Sequence, residues 1–442
     1  MSLFYIIGQN QGIILPTTAI LSDFKRMLRG YKYRLYPTKS QQELIDKHIE
    51  ACRCVYNLAL ETKIYAYKSH QKNLSRFDLI NQLPDLKSEF EWLKEVYNHS
   101  LQQKIFDLDK AFINFYKGDA DFPKFKKKTQ FQKFRNPDGK EVEIKDNKIC
   151  FPKFRDGIKF IEDRKHEGEI RSSTISRTPT GKYFISILCD TKSLIPQKEK
   201  IVSKTAIGID LGLKHFLITS DGIKVDNPRY LRESLKRLKV LQRRNRNKKR
   251  GSKNSKKAFK KLSIIHEKVA NQRYDFLQKL STELVNNHDT ICLEDLNIQG
   301  MSARCKPKKD EQGNFIPNGQ SAKSGLNKSI SDAGWALFVK MINYKSEWRG
   351  KNVLQMPRWQ ASTKVCSNCQ HKQNLTLAQR EWVCEACGTL HDRDENAAKN
   401  IKTFCIKNSG KVIPAVSVEM LAQAKSVKQK VKKSGKLNCP KI

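Results

Sequence analysis

The chain has 442 residues, with 85 Lys and Arg against 45 Asp and Glu, a formal net charge of +40. That excess repels itself unless a polyanion neutralises it, so nucleic acid is the expected partner. A membrane role would need an apolar anchor, and no run of about 18 apolar residues exists to span a bilayer.

Twelve cysteines, two C-x-x-C pairs and eight scattered, suit a reducing cytoplasm and one metal site better than a disulfide framework. In Met1–Arg26, two short apolar runs are split by Gln9-Asn10-Gln11 and follow no basic segment, which argues against a signal peptide. Tyr31, Tyr33 and Leu35 alternating with Lys32 and Arg34 predict a strand with one basic face, ended by Pro37. Thr38 with Gln41 forms a capping box for a helix whose apolar stripe is Leu44, Ile45, Ile49, Cys52, Val55, Tyr56 and Ala59. A second helix starts at Ser100, carries Leu101, Ile105, Leu108, Phe112 and Phe115, and stops at Gly118.

Between Asp119 and Leu194 the period shifts toward two. Strands are predicted over 122–128, 131–135, 148–155 and 182–188, with turns at Asp138-Gly139, Asp156-Gly157 and Thr180-Gly181. The reading is an antiparallel, β-barrel-like domain completed by the Arg29–Tyr36 strand. Lys124 and Lys126, interleaved with phenylalanines, could neutralise phosphates beside stacked bases. Ile195–Lys200 is the linker onward.

Two apolar runs flank Asp210 within Ala206–Gly222, and Ser220-Asp221-Gly222 is the turn of a second hairpin. An acid among Ile, Leu and Gly is costly to bury unless it is paired or ligates a cation. Tyr230–Val285 predicts two helices broken at Gly251–Ser255. Arg243, Arg244, Arg246, Lys248, Lys249 and Arg250 crowd the tip and point to nucleic-acid contact. Ile291–Asn297 is a second apolar run ending in acids, Glu294 and Asp295. Met301–Lys328 reads as a flexible insertion. Asp332 is the expected cap of a helix bearing Trp335, Phe338, Met341 and Ile342, stopped by Gly350, and Asn352–Met356 is the last sheet strand. Cys366, Cys369, Cys384 and Cys387, two pairs separated by fourteen residues, match a closed tetrahedral Zn2+ site. His391 is near enough to substitute, but four thiolates leave it no vacancy. A third acid cluster, Asp392 and Asp394, opens a helix with small Ala397 and Ala398.

Acids on a pattern of strand, hairpin, helix, strand, helix, strand and helix follow the element order of an RNase H-like fold, in which they converge at one sheet end. Asp210, Glu294 and Asp394 would then hold two Mg2+ ions about 3.5–4 Å apart. Asp392 stays open as the alternative third ligand.

The sequence resembles the TnpB (OrfB) family of transposon-encoded proteins, relatives of compact type V CRISPR effectors. Carrying the resemblance are Tyr31–Thr38, Gly208–Lys214, Asn227–Arg232, Glu294–Asn297, Ser329–Trp335, the two Cys pairs and Asp392–Asp394, which together cover about Met27 to Ile401. The chain departs from the family pattern at Gln370, where Gly is usual, and at Ala361 of a usual Pro-Ser pair, departures that would loosen the first knuckle without removing a ligand.

The resemblance implies an α/β multidomain protein: an RNase H-like (RuvC) nuclease domain (199–363 and 390–402) with an inserted zinc ribbon (364–389), a helical recognition lobe (38–118) and a wedge domain (27–37 and 119–198). It leaves 1–26 as an extension and 403–442 as a basic tail. It further implies an RNA-guided, Mg2+-dependent DNA endonuclease of the cytoplasm and nucleoid, with guide RNA and target DNA as partners, a short flanking DNA motif, and Asp210, Glu294 and Asp394 as catalytic acids. Monomer and dimer both stay open. A strand-transferring transposase, or a guide-dependent repressor with a broken acid set, are the alternatives.

Overall fold

The computed structural model describes residues 26–129, 132–376 and 378–409; the expected extension, apart from Arg26, and most of the basic tail lie outside them. Two compact units emerge, one of residues up to Ile195 together with Lys249–Ile264, the other of Pro196–Lys248 and the chain from Ile265 onward. Among the described residues no helix is long and apolar enough to cross a membrane.

In the first unit, β1 (Arg26–Tyr36) leads into α1 (Lys39–His70), then α2 (Arg76–Asn81), α3 (Leu83–Glu89) and α4 (Asn98–Tyr116). The expected capping box is present: Thr38 Oγ1 accepts from Gln41 N–H, and Gln41 Oε1 accepts from Thr38 N–H. β2 (Lys133–Asn136), β3 (Glu143–Lys145), β4 (Lys148–Phe151), β5 (Phe154–Ile161), β6 (Glu169–Arg177) and β7 (Tyr183–Leu194) follow. With β1 they form a seven-stranded antiparallel sheet in the order β2-β6-β7-β1-β5-β4-β3. Among the described residues β2 and β3 are free edges, so the expected barrel is an open sheet. Helices and sheet share one core: Ile45, Val55, Leu101 and Leu108 cluster with Tyr33, Phe134, Phe160 and Ile185. The segments read as recognition lobe and wedge are therefore one packed body.

Several local expectations change here. The predicted 122–128 strand is irregular chain, because its aromatic residues serve the helices: Phe122 packs edge-on against Phe112 and Phe115. The predicted 148–155 strand is two strands joined at Pro152-Lys153, where Lys153 takes φ 70. Asp146 and Asn147, both at positive φ, make the β3–β4 turn, as a two-residue hairpin loop requires. Asp156-Gly157 is no turn. It lies inside β5 opposite a register shift in β4, with Gly157 at φ 71. Asp138-Gly139 opens a short 3-10 segment.

The second unit carries β8 (Ala206–Leu211), β9 (His215–Thr219), β10 (Lys224–Asp226), α5 (Tyr230–Arg246), α6 (Lys253–Asn287, which begins among residues of the first unit), β11 (Thr290–Glu294) and α7 (Ile298–Met301). It continues with β12 (Lys308–Lys309), β13 (Phe315–Ile316), α8 (Gln320–Ala333), α9 (Trp335–Trp348), β14 (Asn352–Met356), β15 (Glu381–Val383), β16 (Leu390–Asp392) and α10 (Arg393–Lys407). Five strands pair as β10-β9-β8-β11-β14, with β8, β11 and β14 parallel. One sheet face is covered by α6, α8 and α9: Ile207 and Ile209 pack with Leu277, Ile330, Trp335 and Phe338. The other face takes α10 through Cys292, Met356, Ile401 and Cys405.

The stretch expected to be a flexible insertion holds a small β12–β13 hairpin and the first turns of α8. Asp332 does not cap α9; Gly334, at φ 74, precedes that helix. The Asp332 carboxylate instead accepts the Leu231 N–H at the start of α5, at 3.0 and 3.2 Å, and pairs with Arg273 at 2.7 Å. It ties together three helices far apart in the chain. Asp332→Ala is therefore expected to lower stability by about 2 kcal/mol, measured by urea denaturation, because it strands a half-buried guanidinium and a helix-end amide.

Candidate active site and metal centre

Strand register brings the first two acids together. Ile209 stands opposite Leu293 in the parallel β8–β11 pair, so Asp210 and Glu294, the next residues, end neighbouring strands side by side. Gly208 and Asp210 share one face of β8, by the two-residue alternation of a strand. That face receives α10, and Gly208 is what permits the approach: a Cβ there would lie 2.1 Å from the Ala398 carbonyl oxygen. The close packing sets the first turn of α10, with Asp394, at the same sheet end.

Asp210, Glu294 and Asp394 line one cavity of about 800 Å³, together with Lys214, Arg358, Ser362, Arg380 and Arg393. Burial, then the charges of Glu294 and Asp394, push the Asp210 carboxyl up to about 7, against the opposing pull of Arg393. Two carboxylates that raise the cost of ionising a third call for a cation, and the all-oxygen donor set of the three is what Mg2+ prefers.

Each acid has its own support. Ser362 Oγ donates to Glu294 Oε1 at 2.5 Å. Asp394 is held by Arg393 Nε at 3.1 Å and Arg380 Nη1 at 3.3 Å. Asp295 turns to Arg358, whose Nη2 and Nε reach its Oδ2 at 2.5 and 3.0 Å.

Asp392 does different work. Its Oδ1 accepts the Asp394 and Glu395 N–H groups as the N-cap of α10, and its Oδ2 pairs with Lys224 at 2.6 Å. Burial alone would raise its carboxyl, but the Lys224 ammonium and the helix amides outweigh that and hold it below the ordinary range. Asp392 is not among the residues lining the cavity.

Cys366, Cys369, Cys384 and Cys387 offer four sulfurs all within 4.8 Å of one another. Cys369 and Cys384 are 3.5 Å apart, and Cys366 and Cys387 3.7 Å. A tetrahedral Zn2+ with bonds of about 2.3 Å would set sulfurs roughly 3.8 Å apart. The donor set and spacing fit that ion. His391 lies outside the group of four, its Nε2 3.0 Å from Cys366 Sγ and its ring against Trp382.

Gln370, after the second cysteine, sits at φ 65, where glycine meets no Cβ penalty. Gln370→Gly is expected to stabilise the knuckle by about 0.5–1 kcal/mol, read as slower metal loss to a chelator.

The ten basic residues expected to touch nucleic acid lie elsewhere, and none lines this cavity. Lys32 and Arg34 stand over the Phe184 ring on the sheet. Lys124 is exposed in the irregular segment beside Asp121, while Lys126 lies over Tyr56. Arg243, Arg244, Arg246, Lys248, Lys249 and Arg250 are exposed at the end of α5 and just past it. The cavity's own cations, Lys214, Arg358, Lys364, Arg380 and Arg393, were not read as site residues in the sequence, and neither was Ser362. Three of them had a legible signal: Ser362 as the retained half of the family's Pro-Ser pair, and Lys214 and Arg393 inside the family-like Gly208–Lys214 and Asp392–Asp394 runs.

A family model described as a probable transposase, OrfB of the IS605 type, matches residues 187–304, and a Cas12f1-like TNB domain matches 335–401. A protein of Streptomyces pristinaespiralis named "Putative RNA-guided DNA endonuclease" is 32% identical over 383 residues, covering 85% of this chain and 89% of its own. The chain belongs to the TnpB family. InsQ of Escherichia coli (strain K12), with the same description, is 31% identical over 85% of this TnpB chain and 92% of its own. Among solved structures, the Cas12f1 protein of a Cas12f1–sgRNA–target DNA complex shares the fold at a TM-score of 0.50 and 16% identity, covering 83% of each chain.

A helix-turn-helix model also matches residues 27–72 of this TnpB, yet that segment folds as β1 and one unbroken 32-residue helix.

Proposed function

We propose that the chain is an RNA-guided, metal-dependent DNA endonuclease whose RNase H-like (RuvC) domain hydrolyses phosphodiesters in guide-complementary DNA beside a short flanking motif. The observation that carries this reading is the meeting of Asp210, Glu294 and Asp394 in one cavity. The β10-β9-β8-β11-β14 sheet with helices on both faces supports the RNase H-like assignment. The relatives' descriptions supply the guide and the DNA.

Asp210, Glu294 and Asp394 would hold two Mg2+ ions, which when bound activate water and stabilise the leaving oxygen. Ser362 restrains one oxygen of Glu294, leaving its other oxygen for a ligand. Arg380 and Arg393 orient Asp394. Lys214 and Arg358 line the same cavity and can take backbone phosphates. The role of Asp392 is to cap α10, so Asp394 is the third ligand in this reading. The four cysteines would hold one Zn2+ as a structural ion close before α10 in the chain. Sequence choice would rest with base pairing.

The test is to sequence the RNA that co-purifies with the chain and to assay cutting of DNA matching it, with randomised flanking sequence, with and without Mg2+. One discrete RNA and cutting confined to complementary DNA support the proposal. Binding and joining of transposon ends without RNA would replace it with the strand-transfer reading.

A further inference from the structure

Trp359 is 89% exposed, the most open large apolar side chain among the described residues. It is not on a loose segment. It occupies a turn directly after β14, closed by Gln360 N–H donating to Pro357 O at 3.0 Å. That turn is anchored to the catalytic strand on both sides, through Arg358 to Asp295 and through Ser362 to Glu294. Arg358, Gln360, Ala361 and Ser362 all line the acid cavity. An indole is thus held in water, by fixed contacts, at the rim of the site where a phosphodiester would lie.

We infer that Trp359 is a base-stacking subsite for the nucleotide adjoining the scissile phosphate. The inference rests on the proposed nuclease function. A ring presented this openly beside a phosphate site suits the face of a nucleobase, and stacking on aromatic side chains accepts any base. A paired duplex keeps its base faces covered, so only an unstacked strand can use the platform. Because the turn is already fixed, little ordering is lost on binding. Arg358 beside it can neutralise the neighbouring phosphate.

The experiment moves a single abasic nucleotide stepwise across the cut region of the target strand in the guide-loaded complex. One position should lower kcat/KM by roughly 10-fold or more, within the range typical of a lost stacking contact. Trp359→Ala should lower the rate on intact DNA by a similar factor and become indifferent to that abasic position, while Trp359→Phe keeps most of the rate and the sensitivity. In an Asp210→Ala background, 2-aminopurine at the same position should be quenched on binding, and less so once Trp359 is also alanine. An unchanged abasic profile at full rate in Trp359→Ala, or quenching independent of Trp359, overturns the inference and leaves the nuclease reading standing. Trp359-dependent quenching in a wild-type complex that never cuts would leave the subsite standing and remove the nuclease.

Discussion

Replacing Asp210 by asparagine is expected to lower DNA cutting at least about 1,000-fold while guide RNA still co-purifies, because one of the three proposed cation ligands is lost without a change of shape. The same substitution should stabilise the metal-free protein at pH 8. The Asp210 carboxyl titrates at about 7 in the folded chain, above the ordinary aspartate value in the unfolded one. Between roughly pH 4 and 7 the folded state therefore holds the extra proton, and stability falls as pH rises through that window. By pH 8 the accumulated loss is about 4 kcal/mol, which asparagine avoids. Thermal melts of both forms in EDTA at pH 5 and pH 8 check this: the gap should be clearly wider at the higher pH. A cation competes with that proton, so the cutting rate should climb through about pH 7 at limiting Mg2+, with the midpoint moving lower as Mg2+ is raised. A melt difference equal at both pH values would show that the acid is not buried among its fellows.

Gly208→Val should be nearly as severe, by another route. The added carbon meets the backbone of α10, the Ala398 carbonyl oxygen at 2.1 Å and Lys402 N at 2.9 Å, and neither atom can swing aside as a side-chain end could. The helix must lift from β8, at an expected cost of about 3 kcal/mol or more. Asp394 moves with it, and a misplacement of about 1 Å can cost 100-fold in rate. Gly30→Ala on β1 is the control: nothing lies within 4 Å of its added carbon, so it should change stability by less than about 0.5 kcal/mol. Melting temperature, zinc content and cutting rate, measured on both variants, separate a displaced helix from a general loss of fold. A Gly208→Val protein that melts and cuts like the parent would show that α10 does not rely on this close approach.

Much of the architecture was readable where its cause is local. The Thr38–Gln41 capping box formed as spaced, since its partners sit three residues apart. The alternation of Tyr31, Tyr33 and Leu35 marks a strand with a buried face, although not that β1 would lie near the middle of seven strands. The basic and aromatic 122–128 segment misled because its pattern imitates a strand while Phe122 packs on the α4 side chains Phe112 and Phe115. Asp332 misled for the opposite reason. Its neighbours in sequence suggest a cap for α9, while its partners, Leu231 and Arg273, are 101 and 59 residues away.

The groups able to ligate metal are legible along the chain: four thiolates at ribbon spacing, and acids closing apolar runs where burying a charge has no structural use. Which acids share a cavity was decided only by tertiary structure. The β8–β11 register sets Asp210 beside Glu294, the glycine at 208 admits α10, and the helix start spends Asp392 on backbone amides while leaving Asp394 to the cavity. Ligand chemistry is a property of side-chain type and spacing along the chain. Convergence is a property of packing between segments some 80 to 180 residues apart, and no local pattern encodes that distance.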